Sequence, residues 1–500
     1  MRGMYINSDI DKLPISKSMS LENSKLFHFP ENTADGCVIY DPKVWSNPPI
    51  EVYEQSVFII SGWFIYKQQL NPLALLAQDI TTQGASVLNN ILAGVFVLYW
   101  KNQEQQTVFT DALGLSTHYI DKQANTLRIA PSVKALVNDS HKLNETMQSI
   151  LNKKNHLFGN FTLFDCVERL SPGTCITTEG EQSYFKFYQP IVIEDLGQYA
   201  SELTQYWQYD ERVLPLSSGL DSRYLLANSS YKYGFTYGPE NSPERQIAGN
   251  YQQDFQHYLG FDYSEQPLFE KESGILDELA FGTLKPINRL LTNYRYVASY
   301  FPKAQVFFDG YLGDLFQRGT YINFKGKRGE VLKLFPFLYS VINLKAKTLM
   351  RLRYKELTGK EFTILWQDFV KRTDSLALTD YQKVTYYEFL YGRGGRYTIF
   401  GSNILAAQFF TVVSPFATRG IFDSFIQQNY GKAVSYNLLK KLWLKTDLKY
   451  KGMAVESGYS PSTNPLFIPF IQLVYRGMFH LFPSRANYGV KQKRMEKNNK

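Results

Sequence analysis

The chain has 500 residues and a formal net charge of +8, from 54 Lys and Arg against 46 Asp and Glu. Its aromatic fraction of 16% excludes a chain that is disordered as a whole, because disordered chains lack the bulky apolar side chains that build cores. At roughly 100–200 residues per domain, the length predicts two or three domains. We expect no membrane-spanning segment, because the apolar stretch at residues 403–416 is too short and the one at residues 466–482 contains Pro469 and Arg476.

The cysteines and the two chain ends give expectations about compartment and partners. Cys37, Cys166 and Cys175 have neither the spacing of a metal site nor the pattern of a disulfide framework. No apolar run follows Met1, so we expect no signal peptide and predict a cytoplasmic protein with reduced, buried thiols. The basic residues at 491–500 lack an accompanying aromatic-basic motif, so we expect a solvated tail and no nucleic-acid partner.

Taken in chain order, the first 190 residues or so are rich in predicted strands. β-Branched and aromatic runs at residues 57–66 and 94–100 are typical of strands, and the second run forms a predicted hairpin with residues 107–111. Shorter strands are predicted at residues 127–130 and 174–178. This part of the sequence predicts an antiparallel β-sandwich with a few helices.

Beyond about residue 190, strands and helices alternate, which predicts a parallel sheet. From about residue 325 onward, the chain is predicted to be mostly helical and rich in aromatic residues. The alternating elements are a helical stretch at 190–210, a strand at 212–216, a helix at 221–228, a strand at 234–238, a helix at 244–259 and a strand at 306–308.

The hexapeptide at residues 217–222, Ser-Ser-Gly-Leu-Asp-Ser, joins a predicted strand to a predicted helix. A tight turn there leaves backbone N–H groups and serine hydroxyls pointing at one place above the helix N-terminus, which is suited to phosphate or pyrophosphate. Asp221 fits such a site if Mg²⁺ lies between its carboxylate and the phosphates. The same residues also suit an ordinary helix N-cap.

A second loop, residues 309–314 with the sequence Asp-Gly-Tyr-Leu-Gly-Asp, follows the predicted strand at 306–308. It brings two glycines and another carboxylate, Asp314. Ligands of open α/β sheets bind at the carboxyl ends of the strands, and Mg²⁺ usually takes one or two protein carboxylates. The two loops therefore predict a Mg²⁺ site formed by Asp221 and Asp314.

Together the two loops resemble the paired signatures of the asparagine-synthetase family of PP-loop ATP pyrophosphatases. The family pattern S-G-G-x-D-S appears at residues 217–222 with Ser218 in place of a glycine, and the pattern S-G-x-G-G-D appears at residues 309–314 with Leu312 at another glycine position. A serine would impair the first loop if that position needs a positive φ. Upstream, residues 62–66, 94–96, 111–114 and 130–136 are similar to the family's N-terminal Ntn-type glutaminase domain.

The resemblance covers most of residues 57–425 and implies two domains, a glutaminase-like domain at 1–190 and a PP-loop ATP-binding α/β domain at 191–500 with a helical extension. It also implies that ATP adenylates a substrate carboxylate with release of pyrophosphate, and that an amine then attacks the acyl-adenylate. Mg²⁺ and backbone donors would stabilise the leaving pyrophosphate. The implied residues are Ser217, Ser218, Gly219, Asp221, Ser222, Gly310 and Gly313 for ATP and pyrophosphate, Leu214, Leu216 and Tyr237 facing the adenosine, and Asp221 and Asp314 for Mg²⁺.

The chain departs from the family where the glutaminase nucleophile would stand. The family uses an N-terminal cysteine, whereas residue 2 is Arg2, and Cys37 lies too close to Gly62 for the family's layout. Because hydrolysis of the glutamine amide needs an activated thiolate, we predict an N-terminal domain without glutaminase activity. This departure favours β-lactam synthetase-like and lasso-peptide cyclase-like relatives, in which an amine of the substrate itself closes the amide.

Two more residues resemble catalytic positions of the family. Tyr311 stands three residues before Asp314, where β-lactam synthetase-like members carry a tyrosine that helps to deprotonate the amine, and Glu388 is a candidate partner for it. Lys451 resembles the family's late lysine, which stabilises the adenylation transition state. Tyr311 equally suits packing, and Lys451 equally suits a solvated cationic face.

The sequence therefore predicts an ATP- and Mg²⁺-dependent amide-forming ligase without its own glutaminase, acting on a small-molecule or peptide carboxylate. One alternative is asparagine synthesis from aspartate, with free ammonia or glutamine as the nitrogen source. The other alternative is a non-catalytic descendant that binds a nucleotide or a peptide.

Overall fold

The computed structural model describes residues 2–8, 24–103, 105–187, 190–262, 270–285, 290–313, 335, 338–341, 344–428 and 435–481. Within them, two antiparallel sheets, one parallel sheet and their flanking helices form a mixed α/β architecture. None of the helices in this part of the chain combines the length and the apolar character that crossing a bilayer requires.

The two antiparallel sheets are built from strands that precede residue 190. In chain order these are β1 (Gly3–Ile6), β2 (Lys25–His28), β3 (Gly36–Tyr40), β4 (Ile50–Tyr53), β5 (Ser56–Tyr66), β6 (Gln69–Leu70), β7 (Ile91–Lys101), β8 (Gln106–Thr110), β9 (Tyr119–Asp121), β10 (Ile129–Ala130), β11 (Val167–Arg169), β12 (Thr174–Ile176) and β13 (Glu181–Ser183). The first sheet has the order β11-β9-β10-β1-β3-β2. The second has the order β13-β12-β8-β7-β5-β4, and β6 pairs with β5.

The inner faces of the two antiparallel sheets pack against each other. Met4 and Val38 of the first sheet share one buried hydrophobic cluster with Ile59 and Val97 of the second. The predicted hairpin is confirmed, because β7 and β8 pair in antiparallel register. The described structure before residue 190 thus agrees with the antiparallel architecture that the sequence predicts.

The third sheet is parallel and follows residue 190. Its strands are β14 (Arg212–Pro215), β15 (Tyr233–Tyr237), β16 (His257–Phe261), β17 (Val306–Phe308) and β18 (Thr411–Val413). The order is β16-β15-β14-β17-β18, so the chain builds outward from β14 first in one direction and then in the other. Val213 and Leu214 are both fully buried and belong to clusters on opposite faces, as expected for a parallel sheet that is covered on both sides.

Helices cover the parallel sheet and make up most of the described chain after about residue 325. The helices are α1 (Leu73–Gln83), α2 (Glu145–Lys154), α3 (Leu196–Thr204), α4 (Asp221–Asn228), α5 (Pro243–Gly249), α6 (Glu270–Ala280), α7 (Leu290–Tyr300), α8 (Leu338–Val341), α9 (Ala346–Arg353), α10 (Gly359–Thr373), α11 (Asp380–Leu390), α12 (Arg419–Ile426), α13 (Asn437–Leu442), α14 (Leu448–Lys451) and α15 (Ile468–Leu481). Two consecutive π-helical segments, Gly394–Thr398 and Phe400–Ile404, follow α11.

One predicted helix is wrong in its second half. The helix predicted at 244–259 ends with α5 at Gly249, and the residues from His257 onward form β16. Tyr233 of β15 lies opposite His257, and the parallel pairing continues to the end of both strands. Tyr258, Leu259 and Phe261 pack well in a strand once β15 lies alongside, so tertiary pairing decides the conformation of this segment.

Buried polar side chains join the antiparallel sheets to the rest of the chain. The Arg169 guanidinium donates to the carbonyl oxygens of Gly114 at 2.6 Å and Leu390 at 3.0 Å. The Trp63 indole N–H donates to the carbonyl oxygen of Val412 in β18 at 3.1 Å. One hydrophobic cluster also contains residues from both sides of residue 190. The domain division at that residue stays a prediction.

Candidate functional site

The order of the parallel sheet creates a switch point between β14 and β17. The two strands are parallel neighbours with Val213 opposite Phe307, and the chain leaves them toward opposite edges of the sheet. The loops after such strands diverge and leave a crevice at the carboxyl ends, where open α/β sheets bind ligands. The two loops that the sequence predicts to bind ATP, residues 217–222 and 309–314, are the ones that follow β14 and β17.

Serine hydroxyls hold the loop after β14 in a tight turn. The Ser217 N–H donates to Ser222 Oγ at 3.2 Å, and the Gly219 N–H donates to Ser217 Oγ at 3.1 Å. Neither Ser218 nor Gly219 has a positive φ, so a serine is compatible with this backbone. Helix α4 begins at Asp221 without a side-chain cap, and a helix N-terminus of this kind is suited to an anion.

The loop after β17 packs directly against the first turn of α4. A β-carbon added to Gly310 would lie 2.9 Å from Asp221 Cβ and 3.0 Å from the Ser222 nitrogen. A β-carbon added to Gly313 would lie 2.5 Å from Asp221 Cγ and 2.6 Å from Asp221 Oδ1. Contacts this short are strongly repulsive, so glycine at both positions is what allows the loops to touch.

Gly313 of this loop is flanked by Leu312, which stands at a glycine position of the family pattern, and by Asp314. Leu312 has a φ of 76°, in the left-handed region that costs a leucine roughly 1–2 kcal/mol. Its side chain is 4% exposed and belongs to the main hydrophobic cluster, which offsets that cost. Asp314, one of the two predicted metal ligands, lies outside the described residues, so its role stays a prediction.

Asp309 is an acidic residue of the same loop to which the sequence analysis gave no role. Burial raises the pKa of its carboxyl to about 6, although the Ser402 hydroxyl and the N–H groups of Tyr311 and Gly310 favour the charged form. Its Oδ2 atom is buried and has no hydrogen-bond partner among the described residues. Because such an oxygen is costly to leave without a partner, Asp309 is suited to a cation. Asp309 could have been identified from the sequence, because it directly follows the predicted strand at 306–308 and ligands of open α/β sheets bind at the carboxyl ends of strands.

The three residues predicted to face the adenosine lie on different sides of the sheet. Leu214 and Leu216 are 0% and 3% exposed and belong to the main hydrophobic cluster, so their side chains are part of the core. Tyr237, at the end of β15, packs against the cluster on the other face. Burial, Glu244 and Asp309 together raise the pKa of Tyr237 to about 12. Asp309 is therefore close enough to influence the Tyr237 hydroxyl electrostatically, whereas the two leucines lie within the core.

Tyr311 and Glu388, which the sequence analysis considered as a pair, have different partners. The buried Tyr311 hydroxyl donates to the carbonyl oxygen of Gly394 at 2.8 Å. Glu388 is fully buried and forms an ion pair with Arg353, with 2.5 Å between Oε2 and Nε. The carboxylate is therefore occupied by a guanidinium. The predicted role of Tyr311 in deprotonating an amine stays a prediction.

Lys451 ends α14, a short helix that is tied to the loop after β14. The Arg223 guanidinium of α4 donates to the carbonyl oxygens of Ser218 at 2.9 Å and Met453 at 2.5 Å, so it joins the loop to the segment that follows Lys451. The Lys451 ammonium donates to the carbonyl oxygen of Leu444 at 3.2 Å. That single bond to a backbone oxygen leaves the ammonium with further donors for an anionic ligand.

The three cysteines have environments that oppose nucleophilic chemistry. Burial raises the pKa of the Cys37 thiol to about 12, and burial also raises the pKa values of Cys166 and Cys175. A nucleophilic cysteine needs the opposite shift, because the thiolate is the reactive form. Near the chain start, the Arg2 guanidinium forms an ion pair with the Asp41 carboxylate at 2.8 Å.

A separate cavity of about 150 Å³ lies between the antiparallel sheets and β18. Its walls include His118 and Asn403. The Asn403 amide donates to Ser402 Oγ at 3.2 Å, and Ser402 in turn hydrogen-bonds the Asp309 carboxylate. A short hydrogen-bonded chain therefore runs from the wall of this cavity to the crevice.

The crevice at the switch point brings together groups suited to phosphate oxygens and groups suited to a divalent cation. Uncapped N–H groups of α4 and the serine hydroxyls suit phosphate oxygens. The carboxylates of Asp221 and Asp309 are hard oxygen ligands of the kind that Mg²⁺ prefers, and within the described part of the chain the buried Oδ2 atom of Asp309 has no hydrogen-bond partner. No protein-family model matches the chain, and no curated protein matches it.

Proposed function

We propose that the chain is an ATP- and Mg²⁺-dependent amide-forming ligase of the asparagine-synthetase type, without a glutaminase of its own. The observation that carries the proposal is the contact between the two loops, in which Gly310 and Gly313 bring the loop after β17 against Asp221 at the switch point. If residues 217–222 were only an ordinary helix N-cap, this contact with the loop after β17 would not be needed. A shared site for a ligand with several phosphates explains why both loops meet at one crevice.

In the proposed reaction, a carboxylate oxygen of the substrate attacks the α-phosphorus of ATP and pyrophosphate leaves. An amine then attacks the acyl carbon, AMP leaves, and the amide forms. The N–H and hydroxyl groups of residues 217–222 stabilise the pyrophosphate as its charge increases. Asp221 and Asp314, the two carboxylates that the sequence predicts, would hold the Mg²⁺ together with Asp309, and the ion would neutralise part of the phosphate charge.

The family resemblance assigns two further roles within this proposal. Lys451 stabilises the adenylation transition state, and its connection to the loop after β14 through Arg223 supports that role. Tyr311 assists the amine. The raised pKa values of the cysteine thiols support an amine that does not come from glutamine hydrolysis in this chain.

The test is pyrophosphate release by the full-length protein with ATP, Mg²⁺ and a panel of carboxylates that includes aspartate. We expect Mg²⁺-dependent release that falls about 100-fold or more in Asp221→Asn. The control is Asp277→Asn, which changes an exposed carboxylate on α6 and should leave the rate unchanged.

Other outcomes would replace the proposal. Activity with aspartate and ammonia alone would establish asparagine synthesis. ATP binding without pyrophosphate release from any carboxylate would indicate a nucleotide-binding descendant. Glutaminase activity, or wild-type release in Asp221→Asn, would contradict the proposed chemistry directly.

A further inference from the structure

Asp121, His141 and Cys166 are far apart in the sequence but come together at the first antiparallel sheet. Asp121 ends β9, and Cys166 directly precedes β11, the strand that pairs with β9. The Lys122 N–H donates to the Cys166 carbonyl oxygen at 2.8 Å, which fixes Cys166 beside the end of β9. His141 lies in a turn, where its N–H donates to the Asn138 carbonyl oxygen at 3.1 Å.

The three side chains each present one potential metal ligand at a single place. A carboxylate oxygen of Asp121, a ring nitrogen of His141 and the sulfur of Cys166 all lie within 4.8 Å of one another. Asp121 Oδ2 and His141 Nε2 are 3.3 Å apart. Ligand atoms that bind a tetrahedral Zn²⁺ at about 2.0–2.3 Å lie roughly 3.3–3.6 Å from each other. Small side-chain movements would therefore close this set around one ion.

The hydrogen bonds of His141 direct the lone pair of Nε2 toward this place. His141 Nδ1 lies 2.8 Å from Asn138 Oδ1, and the Ser140 N–H donates to the same oxygen at 3.0 Å. The Asn138 N–H also lies 3.1 Å from Nδ1. We assign the ring proton to Nδ1, because without it two lone pairs would oppose each other across the shorter distance. A histidine that binds a metal usually donates its other ring N–H to an oxygen in this way.

The surroundings of Asp121 also suit a metal ligand. Its Oδ2 atom forms an ion pair with Arg128 Nη1 at 3.0 Å, and its Oδ1 atom accepts from the Gln123 N–H at 3.0 Å. Carboxylates that bind metals are themselves hydrogen-bonded, which fixes their orientation. The side chains of Asp121 and His141 are 4% and 3% exposed, and Cys166 is 7% exposed, so the three ligand groups are largely shielded from solvent.

We propose that Asp121, His141 and Cys166 bind Zn²⁺, with a water molecule as the fourth ligand. Imidazole and thiolate groups suit Zn²⁺, whereas Mg²⁺ and Ca²⁺ prefer oxygen ligands. The Cys166 thiol releases its proton to solvent as its sulfur binds the ion, because a coordinated thiol is deprotonated. The ion would connect β9, the segment before β11 and the turn that contains His141. The site belongs to the antiparallel sheets and does not depend on the proposed ligase activity.

The test is Zn²⁺ binding by the full-length protein, measured by competition with a chromophoric chelator in a buffer with excess Mg²⁺. Cys166→Ser and His141→Gln should each bind Zn²⁺ at least about tenfold more weakly than the wild type. With Co²⁺ in place of Zn²⁺, the wild type should show the near-ultraviolet absorption of a cobalt–thiolate bond, and Cys166→Ser should lose it. Zn²⁺ should also raise the thermal unfolding midpoint of the wild type more than that of either variant.

Cys175→Ser and His28→Gln are matched controls, because these residues lie outside the cluster, and both should bind Zn²⁺ like the wild type. Asp221→Asn should do so as well, which separates this test from that of the ligase. Absence of Zn²⁺ binding by the wild type would overturn the proposal and leave His141 as an ion-pair partner of Asp121. Co²⁺ binding without cobalt–thiolate absorption, or wild-type affinity in both ligand variants, would overturn it equally.

Discussion

The substitution Gly313→Ala tests the contact between the two loops. The new β-carbon would lie 2.5 Å from Asp221 Cγ and 2.6 Å from its Oδ1, whereas non-bonded carbon atoms rest at about 3.5–4.0 Å. Asp221 is the first residue of α4 and has a short side chain, so the loop after β17 must withdraw by roughly 1 Å. Overpacking of this kind costs about 1–3 kcal/mol of stability. A displacement of about 1 Å at a reacting centre reduces a rate about 100-fold.

Two assays separate these effects. Thermal unfolding should show a lower midpoint for Gly313→Ala, and Mg²⁺-dependent pyrophosphate release should fall about 100-fold. Gly249→Ala is the matched control, because a β-carbon at Gly249 has no neighbour within 4 Å and alanine suits the helix there. If Gly313→Ala kept both the stability and the rate of the wild type, the two loops could not be in the contact described, and the reasoning would be refuted.

Three further predictions concern a histidine, a lysine and an arginine. Burial lowers the pKa of His118 to about 4, whereas the pKa of a histidine in the unfolded chain is about 6.5. The neutral, buried imidazole therefore contributes its full stabilisation of the folded state above about pH 6.5, and this stabilisation is lost as the pH falls from there toward about 4. Over that range, denaturant unfolding should show the wild type losing up to about 3 kcal/mol more than His118→Gln, and equal losses would contradict this. Lys451→Ala should lower the rate of pyrophosphate release about 100-fold. Lys449→Ala is the control and should leave the rate unchanged, because Lys449 already forms an ion pair with Asp254. Equal effects of the two substitutions would contradict the role of Lys451 in adenylation. Arg169→Met should destabilise the protein by roughly 2–3 kcal/mol in urea unfolding, since two buried carbonyl groups lose their donor, and a change near zero would show that these bonds do not hold the sheets together.

The fold could be predicted where local sequence signals were complete. An apolar run predicts the strand at 212–216, the glycine and serines that follow it predict a turn, and helix-forming residues predict the helix at 221–228. The structure has a strand at Arg212–Pro215 and a helix with the predicted bounds. β16 and β18 could not be predicted in this way. Each is a short strand whose conformation depends on pairing with a strand that lies elsewhere in the sequence, β15 for one and β17 for the other.

The candidate site could be predicted in its outline. The two loop patterns identified the glycines and Asp221, and sheet topology explains why those loops are neighbours. The sequence did not reveal that Gly313 touches Asp221, that Leu214 is enclosed in the core, or that burial would raise the pKa of Asp309. Each of these depends on side chains brought together by packing between distant segments, which a local pattern does not specify.

The most direct test of the central claim is the binding of a non-hydrolysable ATP analogue, measured by calorimetry with and without Mg²⁺. Because no carboxylate substrate is needed, the measurement examines the crevice alone. We predict Mg²⁺-dependent binding by the wild type and by Asp277→Asn, and binding at least about tenfold weaker by Asp221→Asn. Equal affinity of the wild type and Asp221→Asn, or no binding in the presence of Mg²⁺, would contradict the assignment of this crevice to ATP.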